Sequence, residues 1–375
     1  MKSAIVTTTI YVPKLLKAYA ADAKKYGHDP LFVVIADKKT PAETETFCAD
    51  LQKKTGFTVE YFSPARQDEY LSKFPALKAH LPWNCIMRRN VGILYAYEQG
   101  ADMIATIDDD NFLEKPNYLG NHRLGKKMTM PVVTSNTNWA NVCRLLDEKN
   151  GRVFYHRGFP PERRLKKEKW TMKKKPTIPV VNAGLWLGEP DVDAMERLYH
   201  FAEPTTAVRW NKKENIALAK GTWSPFNSQN TAILRKAVPA YFLSPMPSLF
   251  LNKRGDMMPT RYDDIWGAYV FKRIADHLSE SITFGAPIVR QNRNPHNYWV
   301  DFDMERHGLA LTDRFVDTLS KVPLKGKDYK SCYAELAESF SKAMLAREDV
   351  SPQEKTYLEN YFEGMRVWRD TFKNI

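Results

Sequence analysis

A short apolar segment that runs directly into three consecutive carboxylates is the feature that most constrains this chain. Residues 103–107 are apolar apart from one threonine, which is typical of a buried strand, and Asp108, Asp109 and Asp110 follow at once. Three adjacent negative charges at the end of a strand repel one another unless a cation lies beside them. Mg²⁺ and Mn²⁺ prefer such oxygen ligands, and an ion held there can stabilise a diphosphate leaving group. The alternative is a solvated turn, because aspartate is common in turns.

The segments before this strand alternate between strand and helix patterns. Such an order predicts an α/β fold with a mostly parallel central sheet flanked by helices, and ligands bind such sheets at the carboxyl ends of the strands. Thr8 and Asp37, at the ends of the first two strands, are therefore predicted to contact a bound cofactor or nucleotide. The sequence contains neither Gly-x-Gly-x-x-Gly nor a Walker A loop, which argues against dinucleotide dehydrogenases and P-loop phosphotransferases. Strands are predicted at residues 4–10, 31–36, 58–62 and 103–107, and helices at 14–26, 42–55 and 88–99.

The net charge of the chain indicates which kinds of partner it can bind. A net charge of +12 favours anionic partners, although it also serves solubility. No apolar run approaches the roughly 18–20 residues that a membrane span needs, and the N-terminus enters a strand pattern rather than a secretory signal. The four cysteines are widely spaced, which is typical of reduced thiols. We therefore expect a cytoplasmic protein without a transmembrane segment.

The middle of the chain carries a dense basic segment. Residues 163–175 include eight lysines and arginines with Trp170 among them, and this pattern predicts an exposed, mobile loop. Such a loop is either a solvated linker, a flap over an anionic ligand or a contact to a phosphate backbone. An apolar strand is predicted to follow at residues 182–187.

The last part of the chain shows helical spacing. Helices are predicted at residues 329–347 and 352–372, with Ser351 as the N-cap of the second. We therefore expect a main domain over residues 1–310, with a nucleotide-binding half at about 1–115 and an acceptor half at about 116–310. Residues 311–375 are expected to form a helical extension packed on it.

Two arginines and an asparagine open the helix that precedes the acidic strand. Free N–H groups at a helix N-terminus attract phosphate, and arginine recognises phosphate with two parallel hydrogen bonds. Arginines are otherwise unfavourable at this end of a helix dipole, which favours a binding role. Arg88, Arg89 and Asn90 are therefore predicted to contact a nucleotide.

Three further segments contain candidate site residues. Arg157 lies in a turn that two prolines and a glycine shape, which presents the arginine rigidly. Asp263 and Asp264 precede an apolar helix, where either is a plain N-cap or a general base for an acceptor hydroxyl. Arg293 and His296 lie in a dense polar loop.

The histidine of this polar loop has two readings. A neutral imidazole is a good ligand for Mn²⁺-like ions, so His296 is predicted to complete a metal site with Asp108 and Asp110. The alternative is an ordinary surface histidine.

In their order along the chain, these motifs resemble the reversibly glycosylated polypeptides, the plant UDP-arabinopyranose mutases. The similarity runs from about Trp83 to the C-terminal helices. The loop from Arg293 to His296, with Asp301, is more similar to STELLO-type glycosyltransferases. The matching motifs are Arg-Asn at residues 89–90, Asp-Asp-Asp at 108–110, Arg-Gly-Phe-Pro at 157–160, Ala-Gly-Leu-Trp-Leu at 183–187 and Arg-Tyr-Asp-Asp-Ile-Trp at 261–266.

The resemblance implies a GT-A fold and a set of residue roles. The triplet Asp108, Asp109 and Asp110 would hold a divalent metal, Mn²⁺ or Mg²⁺, and the diphosphate of a UDP-sugar donor. Arg88 or Arg89 would contact the nucleotide. In a transferase, we expect Arg157 and either Arg293 or His296 to stabilise the departing diphosphate. Arg157 matches the arginine that the mutases glycosylate reversibly, and Asp263 and Asp264 match an acidic pair on the acceptor side.

The strong positive charge decides between the activities that the resemblance implies. A mutase acts on a free nucleotide sugar and needs no large basic surface, whereas a transferase for a polyanionic acceptor would use one. We therefore expect a metal-dependent glycosyltransferase that moves a sugar from a UDP-sugar to a hydroxyl, with modified DNA or an anionic glycan as acceptor. The first alternative is a UDP-sugar pyranose/furanose mutase with transient glycosylation at Arg157. The second is a non-catalytic nucleic-acid-binding protein.

Overall fold

A large sheet forms the centre of the computed structural model, which describes residues 1–252, 255–293 and 296–375. Thirteen strands of the described chain belong to it, and two further strands form a separate hairpin. The strands are β1 (Ser3–Thr9), β2 (Pro30–Ala36), β3 (Val59–Phe62), β4 (Met103–Asp108), β5 (Asn111–Leu113), β6 (Met128–Ser135), β7 (Leu146–Glu148), β8 (Trp170–Thr177), β9 (Pro179–Gly188), β10 (Ala207–Trp210), β11 (Ile216–Leu218), β12 (Asn230–Leu234), β13 (Pro247–Leu251), β14 (Met257–Pro259) and β15 (Ser281–Gln291).

Helices cover the sheet and form the C-terminal part of the chain. They are α1 (Leu16–Lys25), α2 (Glu43–Thr55), α3 (Pro64–Tyr70), α4 (Pro75–His80), α5 (Arg89–Glu98), α6 (Tyr118–Asn121), α7 (Pro161–Arg164), α8 (Ala194–Tyr199), α9 (Asp263–His277), α10 (Tyr298–Lys321), α11 (Tyr329–Leu345) and α12 (Pro352–Thr371). None of the helices in the described ranges is long and apolar enough to cross a membrane.

The order of the strands brings several strand ends to one edge of the sheet. The strands β3, β2, β1 and β4 lie side by side in parallel, and β12 pairs antiparallel with β4 and β9. The strand β15 then continues in parallel with β9. The carboxyl ends of β1, β2, β4, β9 and β15 therefore meet the start of β12. The predicted α/β fold, with a central sheet flanked by helices and helices at the C-terminus, is confirmed.

The basic segment differs from the prediction of a mobile loop. Its first residues belong to α7, and residues 170–177 form β8, which pairs antiparallel with β6 over eight residue pairs. The strand lies at the edge of the sheet and its lysines are exposed, so it lacks the apolar alternation that would have marked it. Lysines on an edge strand also oppose pairing with another chain.

The C-terminal helices share one hydrophobic core with the sheet. The indole of Trp266 in α9 stacks on Phe315 of α10 with ring centroids 4.2 Å apart, and it meets the ring of Tyr361 in α12 edge-on at 5.2 Å. Ser351 is the N-cap of α12, as predicted, and exchanges hydrogen bonds with Glu354. The helix α10 runs through residue 310, and the division of the chain at that point stays a prediction.

Candidate functional site

Two adjoining cavities open at the carboxyl edge of the sheet. The central cavity has a volume of about 290 Å³ and is lined by residues that follow β4, β9 and β15 and by the start of α9. The side cavity has a volume of about 250 Å³ and is lined by the ends of β1 and β2. Residues 84–86 line both cavities, so one elongated ligand can occupy the two together.

The acidic triplet is divided between the two cavities. Asp108 and Asp110 line the central cavity, and Asp109 lines the side cavity, where its carboxylate accepts a hydrogen bond of 2.6 Å from the Thr9 hydroxyl. The Gln291 amide donates to Asp110 at 3.4 Å. Burial and the neighbouring charge of Asp108 raise the pKa of Asp110 to about 7.

The predicted three-ligand metal site is not assembled. Within the described ranges, no group of three or more His, Cys, Asp or Glu side chains lies close enough together to hold a metal ion. His296 lines the central cavity, but its Nδ1 lies 3.1 Å from the Asp301 carboxylate. His296 therefore pairs with Asp301 and does not complete a group of metal ligands with Asp108 and Asp110 in the described ranges. The neighbouring residues Asn294 and Pro295 of the predicted loop lie outside the described residues.

Two of the three residues at the start of α5, Arg89 and Asn90, form their hydrogen bonds inside the protein. Arg89 is fully buried and donates to the Asp108 carboxylate at 2.5 Å, to the Thr8 hydroxyl at 3.1 Å and to the Ser228 carbonyl at 2.7 Å. The Asn90 amide bonds the backbone at residues 87 and 243. Neither residue lines the central or the side cavity, so both support the site through contacts inside the protein.

Of the residues Arg88, Arg89 and Asn90, Arg88 is the one that lines the side cavity. It lines the side cavity with Asp37 and Thr8, and its guanidinium lies 3.7 Å from the centre of the Trp83 ring. Its Nε donates to Gln67 at 2.9 Å, while one buried Nη has no hydrogen-bond partner among the described residues. Burial lowers the pKa of Arg88. An unpartnered buried donor is costly, and a ligand in the side cavity can satisfy it.

Arg157 is held between two carboxylates beneath the central cavity. Its Nε donates to Asp191 at 3.0 Å, and both Nη atoms lie 3.2 Å from the nearer oxygen of Asp264. The next residue, Gly158, has φ +88°, and a Cβ there would lie 2.2 Å from Ile265. Burial disfavours the charge on Arg157, but the two carboxylates outweigh this effect and raise its pKa well above the usual value. Arg157 is therefore a fixed cation.

The two acids at the start of α9 lie in different environments. Asp264 accepts hydrogen bonds from the Ser228 amide and hydroxyl as well as from Arg157, so both of its oxygens are engaged. Asp263 lines the same cavity, but one of its buried oxygens has no partner within the described chain. Burial and the charge of Asp264 raise the pKa of Asp263 well above its usual value. An uncharged carboxyl beside a charged one can donate and recover a proton.

Asp191, which the sequence analysis did not single out, joins two arginines of the site. Besides Arg157 it accepts hydrogen bonds from the Asn227 amide at 2.6 Å and from Arg293 at 3.2 Å. These cations hold the pKa of Asp191 well below its usual range despite its burial. The only local signal is its place just after β9, because ligands gather at strand ends.

Arg293 offers free donors to the central cavity. It lines the cavity, and two of its buried nitrogens have no hydrogen-bond partner in the described part of the chain. Burial, together with the nearby charges of Arg197 and Arg261, lowers its pKa to about 10. A buried guanidinium with unused donors is suited to an anionic group such as a diphosphate.

This combination of fold and site is typical of proteins that bind phosphorylated substrates at the end of an α/β sheet. The sequence model of the family described as "Reversibly glycosylated polypeptide" matches residues 172–375. The chain belongs to this family.

The chain is also similar in sequence to known proteins over most of its length. UDP-arabinopyranose mutase 3 of Arabidopsis thaliana is 26% identical over 282 residues, which cover 72% of this chain and 68% of the relative. Probable UDP-arabinopyranose mutase 1 of Solanum tuberosum is 25% identical over 283 residues, covering 72% and 67%. These comparisons favour the mutase over the glycosyltransferase that the charge of the chain had suggested, and they leave the anionic acceptor without support.

Replacing Asp191 tests how much the protein depends on its buried charges. We expect Asp191→Asn to lower the free energy of unfolding at pH 7 by about 3–5 kcal/mol, because it leaves buried cations without their counter-ion. Because the pKa of Asp191 is lowered in the folded state, its contribution is present above about pH 4 and is lost as the pH falls. The variant should therefore lose less stability than the wild type on acidification.

Urea unfolding between pH 7 and pH 3 measures both effects. Asp317→Asn is the matched control, because Asp317 forms exposed ion pairs with Lys321 and Arg347 and its loss should cost under about 1 kcal/mol. An equal effect of the two substitutions would contradict the importance of Asp191.

Proposed function

We propose that this protein is a UDP-sugar mutase that interconverts pyranose and furanose forms. Its membership of the reversibly glycosylated polypeptide family and the names of its relatives support this proposal. The observation that carries it is the composition of the central cavity, in which the cations Arg157 and Arg293 and the acids Asp263 and Asp264 line one space. The resemblance to GT-A proteins belongs to the same proposal, supported by the acidic triplet at the end of β4.

The donor would lie across the two adjoining cavities. The nucleoside occupies the side cavity, where Asp37 offers acceptors and Arg88 an unused donor. The diphosphate enters the central cavity beside Arg293, and the sugar lies against Asp263. This placement gives partners to the buried nitrogens of Arg88 and Arg293 and to the buried oxygen of Asp263 that have none among the described residues.

A divalent metal is part of this proposal. Asp108 and Asp110 both line the central cavity, and Mg²⁺ at nucleotide sites usually takes one or two carboxylates, with phosphate oxygens and water completing its shell. The two residues fit this requirement even though the described residues offer no third protein ligand beside them. The ion would neutralise charge on the diphosphate.

The reaction needs a group that retains the sugar after UDP departs. In our proposal an Nη of Arg157 attacks the anomeric carbon, the bond from that carbon to the β-phosphate oxygen breaks, and the displaced proton passes to Asp264. The Asp264 oxygen 3.2 Å from both Nη atoms supports this transfer. The raised pKa of Arg157 opposes attack by a free guanidine, so loss of the proton must accompany bond formation.

Asp263 would then catalyse the change of ring size. As an uncharged acid it donates a proton to the ring oxygen while the bond from that oxygen to the anomeric carbon breaks and a carbon–nitrogen double bond to Arg157 forms. The 4-hydroxyl closes on the anomeric carbon and returns its proton to Asp263. UDP then attacks the same carbon, the bond to Arg157 breaks, and Asp264 returns the proton to the guanidinium. The raised pKa of Asp263 suits an acid that remains protonated near neutral pH.

The product identifies the activity. With UDP-arabinopyranose and Mn²⁺ we expect UDP-arabinofuranose to accumulate without release of UDP, as measured by anion-exchange chromatography and mass spectrometry. Asp263→Asn should lower kcat by about 100-fold or more, because it removes the acid–base group. Asp303→Asn is the control, since Asp303 lines neither cavity. Stoichiometric release of free UDP in place of the furanose product would overturn the mutase.

Retention of the sugar on the protein tests the role of Arg157. Radioactive sugar from the UDP-sugar should remain on the denatured wild-type protein, map to the peptide with Arg157 and be chased by unlabelled UDP. Arg157→Lys should abolish the label, because lysine cannot reproduce the planar contacts with both carboxylates. Arg163→Lys, which alters a half-buried partner of Asp313 outside both cavities, should retain it. Full label on Arg157→Lys would rule out this attachment site.

Binding of the metal has a readout apart from activity. Electron paramagnetic resonance should show Mn²⁺ bound to the wild-type protein in the presence of UDP, and Asp110→Asn should weaken that binding by about tenfold or more. Asp109→Asn is the matched control, because Asp109 lies in the side cavity and bonds Thr9. Equal affinity of Asp110→Asn and the wild-type protein would contradict the proposed metal site.

Transfer of the sugar to a polyanionic acceptor is the second candidate function. One observation favours it, namely the exposed lysines of β8 at the edge of the sheet. Faster release of UDP when DNA or an anionic glycan is added would support this candidate over the mutase.

A further inference from the structure

A third cavity, which we name the basic cavity, lies apart from the two described above. It has a volume of about 410 Å³ and shares no lining residue with the central or side cavity. Its walls come from the segment after β5, the turn after α6, the start of β6 and the turn between β10 and β11. Its lining residues include Lys115, Arg123, Trp210, Lys213 and Asn215.

Three cations from separate parts of the chain meet in this cavity. Lys115, Arg123 and Lys213 all line it, and no ion pair joins any of them to a carboxylate in the described chain. The one acidic residue of the lining, Glu214, is paired with Lys174 at 3.4 Å. The cavity therefore has an uncompensated positive charge, which attracts an anion.

The floor of the basic cavity is built from polar groups whose hydrogen bonds are already made. The Asn215 amide donates to the Asn182 side chain and to the Ala286 carbonyl, both at 2.9 Å, and accepts from the Ala286 amide at 2.7 Å. Gly285 has φ +142°, and a Cβ there would lie 2.4 Å from the Asn215 side chain. The floor therefore resists collapse and keeps the cavity open, which reduces the cost of ordering a ligand.

One wall offers an aromatic surface. The Lys115 ammonium lies 5.2 Å from the centre of the Trp210 ring, so charge and apolar surface are adjacent. The Trp210 Nε1 is buried and has no hydrogen-bond partner within the described ranges. Met128 and Met130 add apolar area to the lining. This wall suits a ligand that carries a ring or sugar next to its anionic group.

From this convergence of unpaired cations on a preformed, partly aromatic cavity, we propose that the basic cavity is a second binding site, for a phosphate-bearing ligand with at least two negative charges. Arginine recognises phosphate through parallel hydrogen bonds, and the two lysines add mobile point charges. The site is separate from the proposed UDP-sugar site and does not depend on the mutase activity.

Titration calorimetry with inorganic tripolyphosphate tests this site on the full chain. The wild-type protein should bind two molecules, one in the central cavity and one in the basic cavity. The triple variant Lys115→Ser, Arg123→Ser, Lys213→Ser should lose one of them, or bind it at least about tenfold more weakly. Its affinity for UDP should be unchanged.

The control removes the same charge from another place. Lys327, Lys330 and Lys342 are exposed lysines of the C-terminal region, and their joint replacement by serine should leave both binding events intact. Equal loss in this control would show that net charge alone attracts tripolyphosphate and would overturn the proposal. Unchanged binding by the first triple variant would also overturn it.

One further variant and the number of bound molecules keep the outcome interpretable. The single change Lys213→Glu reverses one charge and should weaken the same binding event, even if the triple variant proves unstable. If the central cavity does not bind diphosphates, the wild-type protein should bind one tripolyphosphate, and the triple variant should lose it. Failure of the proposed mutase site is thereby distinguished from failure of the basic cavity.

Discussion

The arrangement of this site depends on a relay of buried charges that crosses the edge of the sheet. Arg89 holds the acidic strand end to the loop before β12, and the loop residue Ser228 bonds the carboxylate that holds Arg157. Because each buried charge requires its partner, no member can move alone without exposing an unpaired charge. The relay runs Asp108, Arg89, Ser228, Asp264, Arg157, Asp191 and Arg293.

The polar atoms that this relay leaves without a partner, and those beside it, are the ones that chemistry can use. Asp263 has a free buried oxygen, and Arg88 and Arg293 have free nitrogens among the described residues. A site in which most polar atoms are satisfied and a few are not is preorganised for a ligand that completes it. Asp263 and Asp264 differ in the same way, since both oxygens of Asp264 accept hydrogen bonds while one oxygen of Asp263 has no partner among the described residues.

Much of the fold could be predicted because hydrophobic periodicity reports burial directly. The strands and helices predicted before Asp108 lie within a few residues of their observed bounds, although α3 and α4 were not predicted, and Ser351 caps α12 as its spacing indicates. The roles of polar residues were harder to predict. Arg88 and Arg89 are adjacent at one helix start, yet one lines the side cavity and the other lies inside the protein, because a helix turns by about 100° per residue.

By itself, the sequence determined the α/β class, the place of the acidic triplet at a strand end and the segments that contribute to the site. Only the tertiary structure decided which side chains meet. It brought Asp191 to Arg157, paired His296 with Asp301, and placed residues 170–177 on the sheet edge. The physical reason is that local patterns encode burial and backbone preference, whereas the pairing of charges depends on contacts between residues far apart in the chain.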